Sequence, residues 1–275
     1  MTEPDWRALN RAHWDERVAV HLGPRGYTLN DLRAGRVVLN AIEEAELGPV
    51  AGLHILHLQC HFGRDTIGLV QRGATAVGLD FSAPAIDAAC ALATEMGLQD
   101  RARFMQSDLY DARAAIAPLE KFDLVYVTWG AITWLPDIAE WARIVAHFLK
   151  PGGALYLAEA HPAGLVFDDT VPGADGRPGF FVPYFHQGPL VIDDDRDYKD
   201  PEARLVNTRT HTFIHPVSEV ITALLRAGLT LEWFHEHDAV TWRMFASQVK
   251  GEDGLYRWPD KPWFPLSYSL SARRT

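Results

Sequence analysis

Residues 53–82 read LHILHLQCHFGRDTIGLVQRGATAVGLDFS, and the order of signals within them decides the fold. Leu53, Ile55, Leu56 and Leu58 form an apolar run too short for a buried helix, and a turn follows that closes on Gly63. Ile67 and Val70 then recur at helical spacing until Gly73 supplies a stop, and Ala76–Leu79 repeats the short apolar run. Strand, helix and strand in this succession make a βαβ unit, whose crossover leaves the two strands parallel.

The same alternation continues downstream. Ser82 and Pro84 supply an N-cap and a preset first turn, and Ile86, Ala89, Cys90 and Ala93 repeat at helical spacing until Gly97, which predicts Cys90 in the core. Arg103–Gln106 reads as a third strand and Phe122–Thr128 as a fourth. Ile138, Trp141, Ala142, Val145, Phe148 and Leu149 mark one face of a long helix stopped by Pro151-Gly152-Gly153, and Ala154–Ala158 is a fifth strand.

After His161 the pattern breaks, and Gly, Pro, Asp and aromatic residues crowd the chain to about Asn207. That is too long for an ordinary connection and reads as a lid or binding element. A helix restarts at Pro216 and stops at Gly228; Leu229–Phe234 and Leu266–Ala272 read as closing strands. Asp5–His21 and Asn30–Leu47 read as two helices outside the repeat, placed to cap the sheet. With no internal repeat and no Ser/Gly linker, residues 1–275 read as one doubly wound α/β domain. Its parts are a helical cap (1–50), a core (51–160), an insertion (161–210) and a closing segment (211–275).

A formal net charge of -10 with no long basic run disfavours nucleic acid and anionic membranes, which are bound through Lys and Arg. No apolar run approaches the ~20 residues of a membrane span, and the first residues lack the apolar core of a signal peptide, so a cytoplasmic chain is expected. Cys60 and Cys90 are the only cysteines and read as reduced thiols.

In a parallel α/β sheet, ligands bind beyond the carboxyl ends of the strands. Those ends carry Gln59-Cys60-His61-Phe62-Gly63, Asp80-Phe81-Ser82, Ser107-Asp108-Leu109 and Thr128-Trp129-Gly130. Candidate bases are Glu159 and His161 beyond the fifth strand, then His211, His215 and the His235-Glu236-His237-Asp238 run; His161 leads because histidine titrates near neutrality. His235 and His237 would share a strand face, but neither they nor Cys60 and His61 have further ligands at suitable spacing, so no metal site is expected. Asp193, Asp194, Asp195 and Asp197 read as a solvated acidic loop. Phe180, Phe181, Tyr184 and Phe185, with Trp14, Tyr27 and Trp134, either wall a pocket or form a satellite core under the loop.

The ordered segments HLQCHFGRDT, TWLPD, KPGG and EAHP resemble those of the class I S-adenosylmethionine-dependent methyltransferases, in particular a bacterial subgroup with HLQCHFG where the family usually has DLGCGTG. The resemblance runs from about Trp14 to the C-terminus. It implies a seven-stranded, mostly parallel Rossmann-like sheet with an antiparallel last strand, S-adenosylmethionine as cofactor, S-adenosylhomocysteine as product, and a small-molecule acceptor. It further implies that Asp80 binds the ribose hydroxyls, Phe81 covers the adenosine, and Asp108 and the Leu109 amide read the adenine. Gln59, Cys60, His61 and Gly63 would cradle the methionine moiety and Thr128 and Gly130 its ammonium, with Ser82, Ser107, Trp129 and Trp14 completing the lining.

Gln59 and His61 stand where the family has glycine. They also depart from the nicotinamide fingerprint G-x-G-x-x-G, which would place Arg64 at its last glycine. An NAD-dependent oxidoreductase and a cofactor-binding protein without transfer remain as alternatives. Asp80 also reads as a helix-start cap and Asp108 as ordinary turn chemistry. Methyl transfer depends chiefly on positioning, so a catalytic base is not obligatory. A homodimer is compatible with the sequence.

Overall fold

The computed structural model describes residues 5–36 and 39–275. The predicted βαβ repeat folds as a seven-stranded sheet of β1 (His54–Leu58), β2 (Thr75–Asp80), β3 (Ala102–Gln106), β4 (Phe122–Thr128), β5 (Leu149–Ala160), β6 (Leu229–His237) and β7 (Ser267–Arg274). Their order across the sheet is β6-β7-β5-β4-β1-β2-β3. Strands β1 to β5 run parallel, and β7 is inserted antiparallel between β5 and β6. The order reverses between β1 and β4, which puts the ligand crevice over that pair of strand ends.

Both sheet faces are covered, which is why the strands read as continuous apolar runs. On one side Leu56, Leu58, Val125 and Val127 pack with Trp141, Val145 and Phe148; on the other Ile55, Tyr126 and Tyr156 pack with Ile67, Val70 and Ala89. The helices are α1 (Trp6–His21), α2 (Asn30–Arg33), α3 (Ala41–Glu46), α4 (Arg64–Gln71), α5 (Ala83–Glu95), α6 (Ala112–Ala115), α7 (Ile138–Phe148) and α8 (Val217–Arg226). Asp5 caps α1 by accepting from Arg7 N, and Ser82 caps α5 by accepting from Ala85 N.

Three local expectations are corrected, and one small sheet is added to them. The single helix over Asn30–Leu47 is two short helices, α2 and α3, the second begun by an Asn40/Glu43 capping box that starts a new helix rather than continuing the old one; residues 37 and 38 of that span lie outside the described residues. Cys90 is exposed, because the inward stripe of α5 is confined to Ala85, Ile86, Ala89, Leu92 and Ala93. β5 begins at Leu149, before Pro151-Gly152-Gly153 rather than after it: Leu149 pairs with Phe122 and Ala154 with Leu124, so residues 150–153 bulge out of the ladder. Finally, the chain between β6 and β7 forms a separate three-stranded sheet (Ala239–Val240, Val249–Lys250, Tyr256–Arg257) on a small core of Val240, Phe245, Trp258 and Leu266.

The insertion after β5 forms two hairpins, Phe167–Pro172 with Pro178–Phe180 and Leu190–Asp193 with Arg209–Thr212. α1 is laced to it: Asn10 exchanges two 2.8 Å hydrogen bonds with the backbone of His211, and Glu16 accepts from the amides of Val206 and Asn207. Helix and insertion together roof the strand ends. Among the described residues no helix is long and apolar enough to cross a membrane.

Candidate active site

The turn after β1 carries left-handed backbone at alternate positions: Gln59 (φ 57°), His61 (φ 51°) and Gly63 (φ 74°). A non-glycine side chain in this region costs roughly 1–2 kcal/mol, and here each is tied down. Gln59 Nε2 donates to Ala131 O at 2.9 Å, and the His61 ring bonds His21 of α1 at 2.8 Å. At Gly63 no such exchange is open, since a Cβ would lie 2.5 Å from the Phe104 ring. The Cys60 thiol is buried and donates to His61 O at 3.5 Å.

Asp80 ends β2 and locks this turn. Its Oδ2 accepts from His61 N at 2.8 Å and its Oδ1 from Ser82 N at 2.9 Å. Burial pushes its carboxyl up to about 6. A carboxylate offers about four lone-pair sites, so two remain for a vicinal diol. Asp80 therefore caps and also faces a cavity. Ser82 is buried behind it as the helix cap.

Two cavities meet at Asp80 and share Gln59, Asp80, Phe81 and Trp134. The smaller is lined by Ser107, Asp108 and Leu109 beyond β3 and by Trp6, Arg7 and Asn10 of α1. Asp108 accepts from Tyr110 N at 2.9 Å and lies 3.5 Å from Arg7 Nε, so its turn role and its cavity role coexist. The larger, about 470 Å³, takes in Cys60, His61, Thr128, Trp129, Gly130 and Trp14. Trp14, Tyr27 and Trp134 thus wall the site. Phe180 and Phe185 do not line either cavity: they are 78% and 71% exposed.

None of the candidate bases lines either cavity. Glu159 is buried and fully engaged: Oε1 accepts from the amides of Gly130 (2.6 Å) and Ala160 (2.8 Å), Oε2 from those of Ala131 (2.7 Å) and Ile132 (2.9 Å). Its carboxylate clamps the loop after β4 from below. His161 takes the Ala163 amide on Nδ1 and faces Glu236 through Nε2 at 3.2 Å. His215 Nε2 bonds Leu135 O at 2.7 Å, with Glu219 3.3 Å from Nδ1. His235 and His237 both turn toward Glu46. Glu159, next to the end of β5, thus holds the loop from Gly130 to Ile132, and that loop forms the cavity wall.

The acidic run is corrected at Asp197, which is not solvated. It is drawn inward against α1, with Oδ2 3.1 Å from His21 Nε2 and Oδ1 accepting from the amides of Lys199 and Asp200.

Several lining residues carry no local signal. Glu43 of α3 is buried between Tyr126, whose hydroxyl donates to it, and Asn40. Burial, then Asp65, push its carboxyl up to about 7. His57, packed inside β1, bonds Thr66 Oγ1 at 2.7 Å and leaves Nε2 without a partner at the cavity; burial lowers its imidazole to about 3, so it is neutral. Gln59 Oε1 and Trp129 Nε1 are likewise buried without partners, and such atoms call for a polar ligand.

Glu43 also sets a pH dependence. Folded, it holds its proton up to about 7; unfolded, it releases it near the ordinary glutamate value of 4.5. Its contribution is therefore fully present below about 4.5 and is lost as pH rises to about 7. Glu43→Gln is expected to flatten the fall in urea midpoint across that window, leaving a smaller slope below about 6 that belongs to Asp80. An unchanged slope in the variant would show Glu43 ionised throughout.

A methyltransferase domain family matches residues 55–153. Two curated relatives are 23S rRNA (uracil(1939)-C(5))-methyltransferases RlmD, 27% identical over 158 residues in Azoarcus sp. and 32% over 99 residues in Acidithiobacillus ferrooxidans. These matches cover 56% and 36% of this chain but only 34% and 22% of those proteins, so the chain spans about a third or less of their length. Among solved structures, an S-adenosylmethionine dependent methyltransferase from Mesorhizobium loti superposes with TM-score 0.61 at 25% identity, covering 85% of this chain and 96% of that one. The glycopeptide N-methyltransferase MtfA, solved with S-adenosyl-L-methionine, superposes with TM-score 0.53 at 18% identity, covering 84% and 91%.

Proposed function

The chain carries a class I S-adenosylmethionine-dependent methyltransferase domain, and on that premise we propose that it transfers the methyl group to a small-molecule acceptor. The observation that carries this reading is the roof. α1 and the insertion close over the strand ends and leave about 470 Å³, within the range of small-ligand sites and without room for a stacked nucleic-acid helix. The net charge of -10 points the same way, although the curated relatives carry an rRNA methyltransferase name.

In this reading Asp80 holds the ribose and Phe81 covers the adenosine, with Asp108 and the Leu109 amide at the adenine end. Gln59, His61, Thr128 and Gly130 surround the methionine portion. The bound cofactor supplies an electrophilic methyl on a positively charged sulfur. The protein orients the acceptor in line behind that methyl and excludes water with the walls of Trp14, Trp129, Trp134 and Trp242. Such positioning is worth roughly 7–11 kcal/mol of barrier.

S-adenosylhomocysteine at 100 times its dissociation constant is expected to raise the melting temperature by roughly 5–10 °C, with NAD giving no shift. Labelled S-adenosylmethionine should pass its methyl to a member of a panel of phenols, alcohols and amines. An equal shift with NAD, or transfer to RNA alone, would overturn the reading.

A further inference from the structure

One buried chain of hydrogen bonds enters the cavity from outside the cofactor turn. Asp197 of the insertion, His21 at the end of α1 and His61 in the turn after β1 are linked by contacts of 3.1 Å (Asp197 Oδ2 to His21 Nε2) and 2.8 Å (His21 Nδ1 to His61 Nε2). The side chains of Asp197 and His21 are wholly inaccessible to solvent, and His61 lines the cavity.

The protons along this chain have one consistent arrangement. Asp197 takes two backbone amides on Oδ1 and has Arg17 Nε 3.6 Å from Oδ2; against the opposing effect of burial, the His21 hydrogen bond first and then those amides lower its carboxyl to about 2. An anionic carboxylate only accepts, so His21 Nε2 bears the hydrogen. Burial keeps His21 neutral, leaving its Nδ1 as a lone pair. The 2.8 Å bond is then a donation from His61 Nε2, which leaves His61 Nδ1 unprotonated. Among the described residues nothing bonds that atom. The charged and titratable groups facing the ring are Arg17 and His21 from α1 and Asp197 from the insertion, with Asp80 beneath its amide; burial first, then His21 and Arg17, lower the imidazole to about 3.

Resting on the reading of this cavity as the methyl-transfer site, we propose that His61 Nδ1 is the general base for an acceptor bearing O–H or N–H, and that Asp197, through His21, holds His61 in the tautomer this requires. The acceptor's oxygen or nitrogen bonds the methyl carbon as the carbon–sulfur bond breaks, and the acceptor's proton passes to His61 Nδ1. One positive charge disappears from sulfur as one forms on the imidazole, so the cavity's net charge does not rise. Asp197 supports the imidazolium electrostatically and need not take the proton. A glycine at position 61 would leave the cofactor turn intact but supply no base. Here a histidine occupies that left-handed position and is braced from behind.

The test uses the full chain. Imidazole nitrogen-15 spectra at neutral pH should show both His21 and His61 neutral and protonated on Nε2. With labelled S-adenosylmethionine and the panel of phenols, alcohols and amines, His61→Asn, which tolerates the positive φ, should lower kcat roughly 10²-fold. Because position 61 would meet the methionine portion through its backbone, which Asn keeps, the KM for S-adenosylmethionine should stay within about threefold of the unaltered chain. Asp197→Asn should lower kcat about tenfold and shift the acid limb of the pH profile, and serves where His61→Asn fails to fold. A proton on His61 Nδ1, an unchanged kcat in both variants, or a raised KM with kcat unchanged would overturn the proposal, the last by making the ring a cofactor ligand. Absence of both transfer and an S-adenosylhomocysteine shift would instead overturn the reading beneath it.

Discussion

Glu159→Ala is expected to destabilise the fold by roughly 3–5 kcal/mol, because it strips the acceptor from four backbone amides at once. Those of Ala131 and Ile132 are buried, so water cannot replace the carboxylate there without opening the loop. The loop carries Thr128, Trp129, Gly130 and Ala131 into the cavity wall, and Ala131 O anchors Gln59. Cofactor affinity should therefore fall together with the thermal midpoint, which should drop by about 10 °C. A melt that stays at the wild-type midpoint while turnover disappears would restore Glu159 as a chemical base and discard the clamp.

The second large effect belongs to Asp80. Its carboxylate offers charge-assisted acceptance to two ribose hydroxyls, so Asp80→Ala should weaken S-adenosylhomocysteine binding on the order of 10²-fold or more by calorimetry. The fold should persist at a modest cost in stability: the amide of His61 lies at the cavity, where water can take the place of the carboxylate, while the buried amide of Ser82 alone loses its acceptor. In the unaltered chain the carboxyl is raised to about 6, so affinity should decline as pH falls through that value and the anion is lost. A pH-independent affinity together with an intact binding isotherm in the variant would leave Asp80 as a cap and nothing more.

Much of this was legible along the chain. Apolar runs at Ile55–Leu58, Ala76–Leu79 and Val125–Val127, separated by helices with clear stops, left only a parallel doubly wound arrangement open. Strand-end residues then named Gln59, His61, Asp80 and Asp108 as a set, and the structure gathers all of them around two joined cavities. One further signal was present and unread. Arg7, Asn10, Trp14, Arg17 and His21 recur at intervals of three and four, a polar and aromatic stripe on a helix that has no reason to carry one unless that face covers a site. All five point to the strand ends: Arg7 and Asn10 line the smaller cavity, Trp14 and Arg17 the larger, and His21 bonds His61.

The rest had no local signature. Glu159, His161 and His215 have the right chemistry for a base and the right place in the order of strands. Whether a side chain beyond β5 points over the loop or under it depends on how that loop packs, and periodicity does not encode that. Asp197 sits in a run of aspartates whose composition says solvent, yet it is the one member that meets a buried histidine, because α1 arrives from the far end of the chain. The sequence by itself determined the sheet, its crossovers and the crown of strand-end residues, since these follow from nearest-neighbour backbone geometry and periodic burial. Tertiary structure alone decided which polar groups are desolvated together, and with that which carboxylate clamps, which binds and which histidine keeps a free lone pair. Those properties are set by distances between segments some 20 to 180 residues apart, where loop packing rather than local spacing fixes the contact.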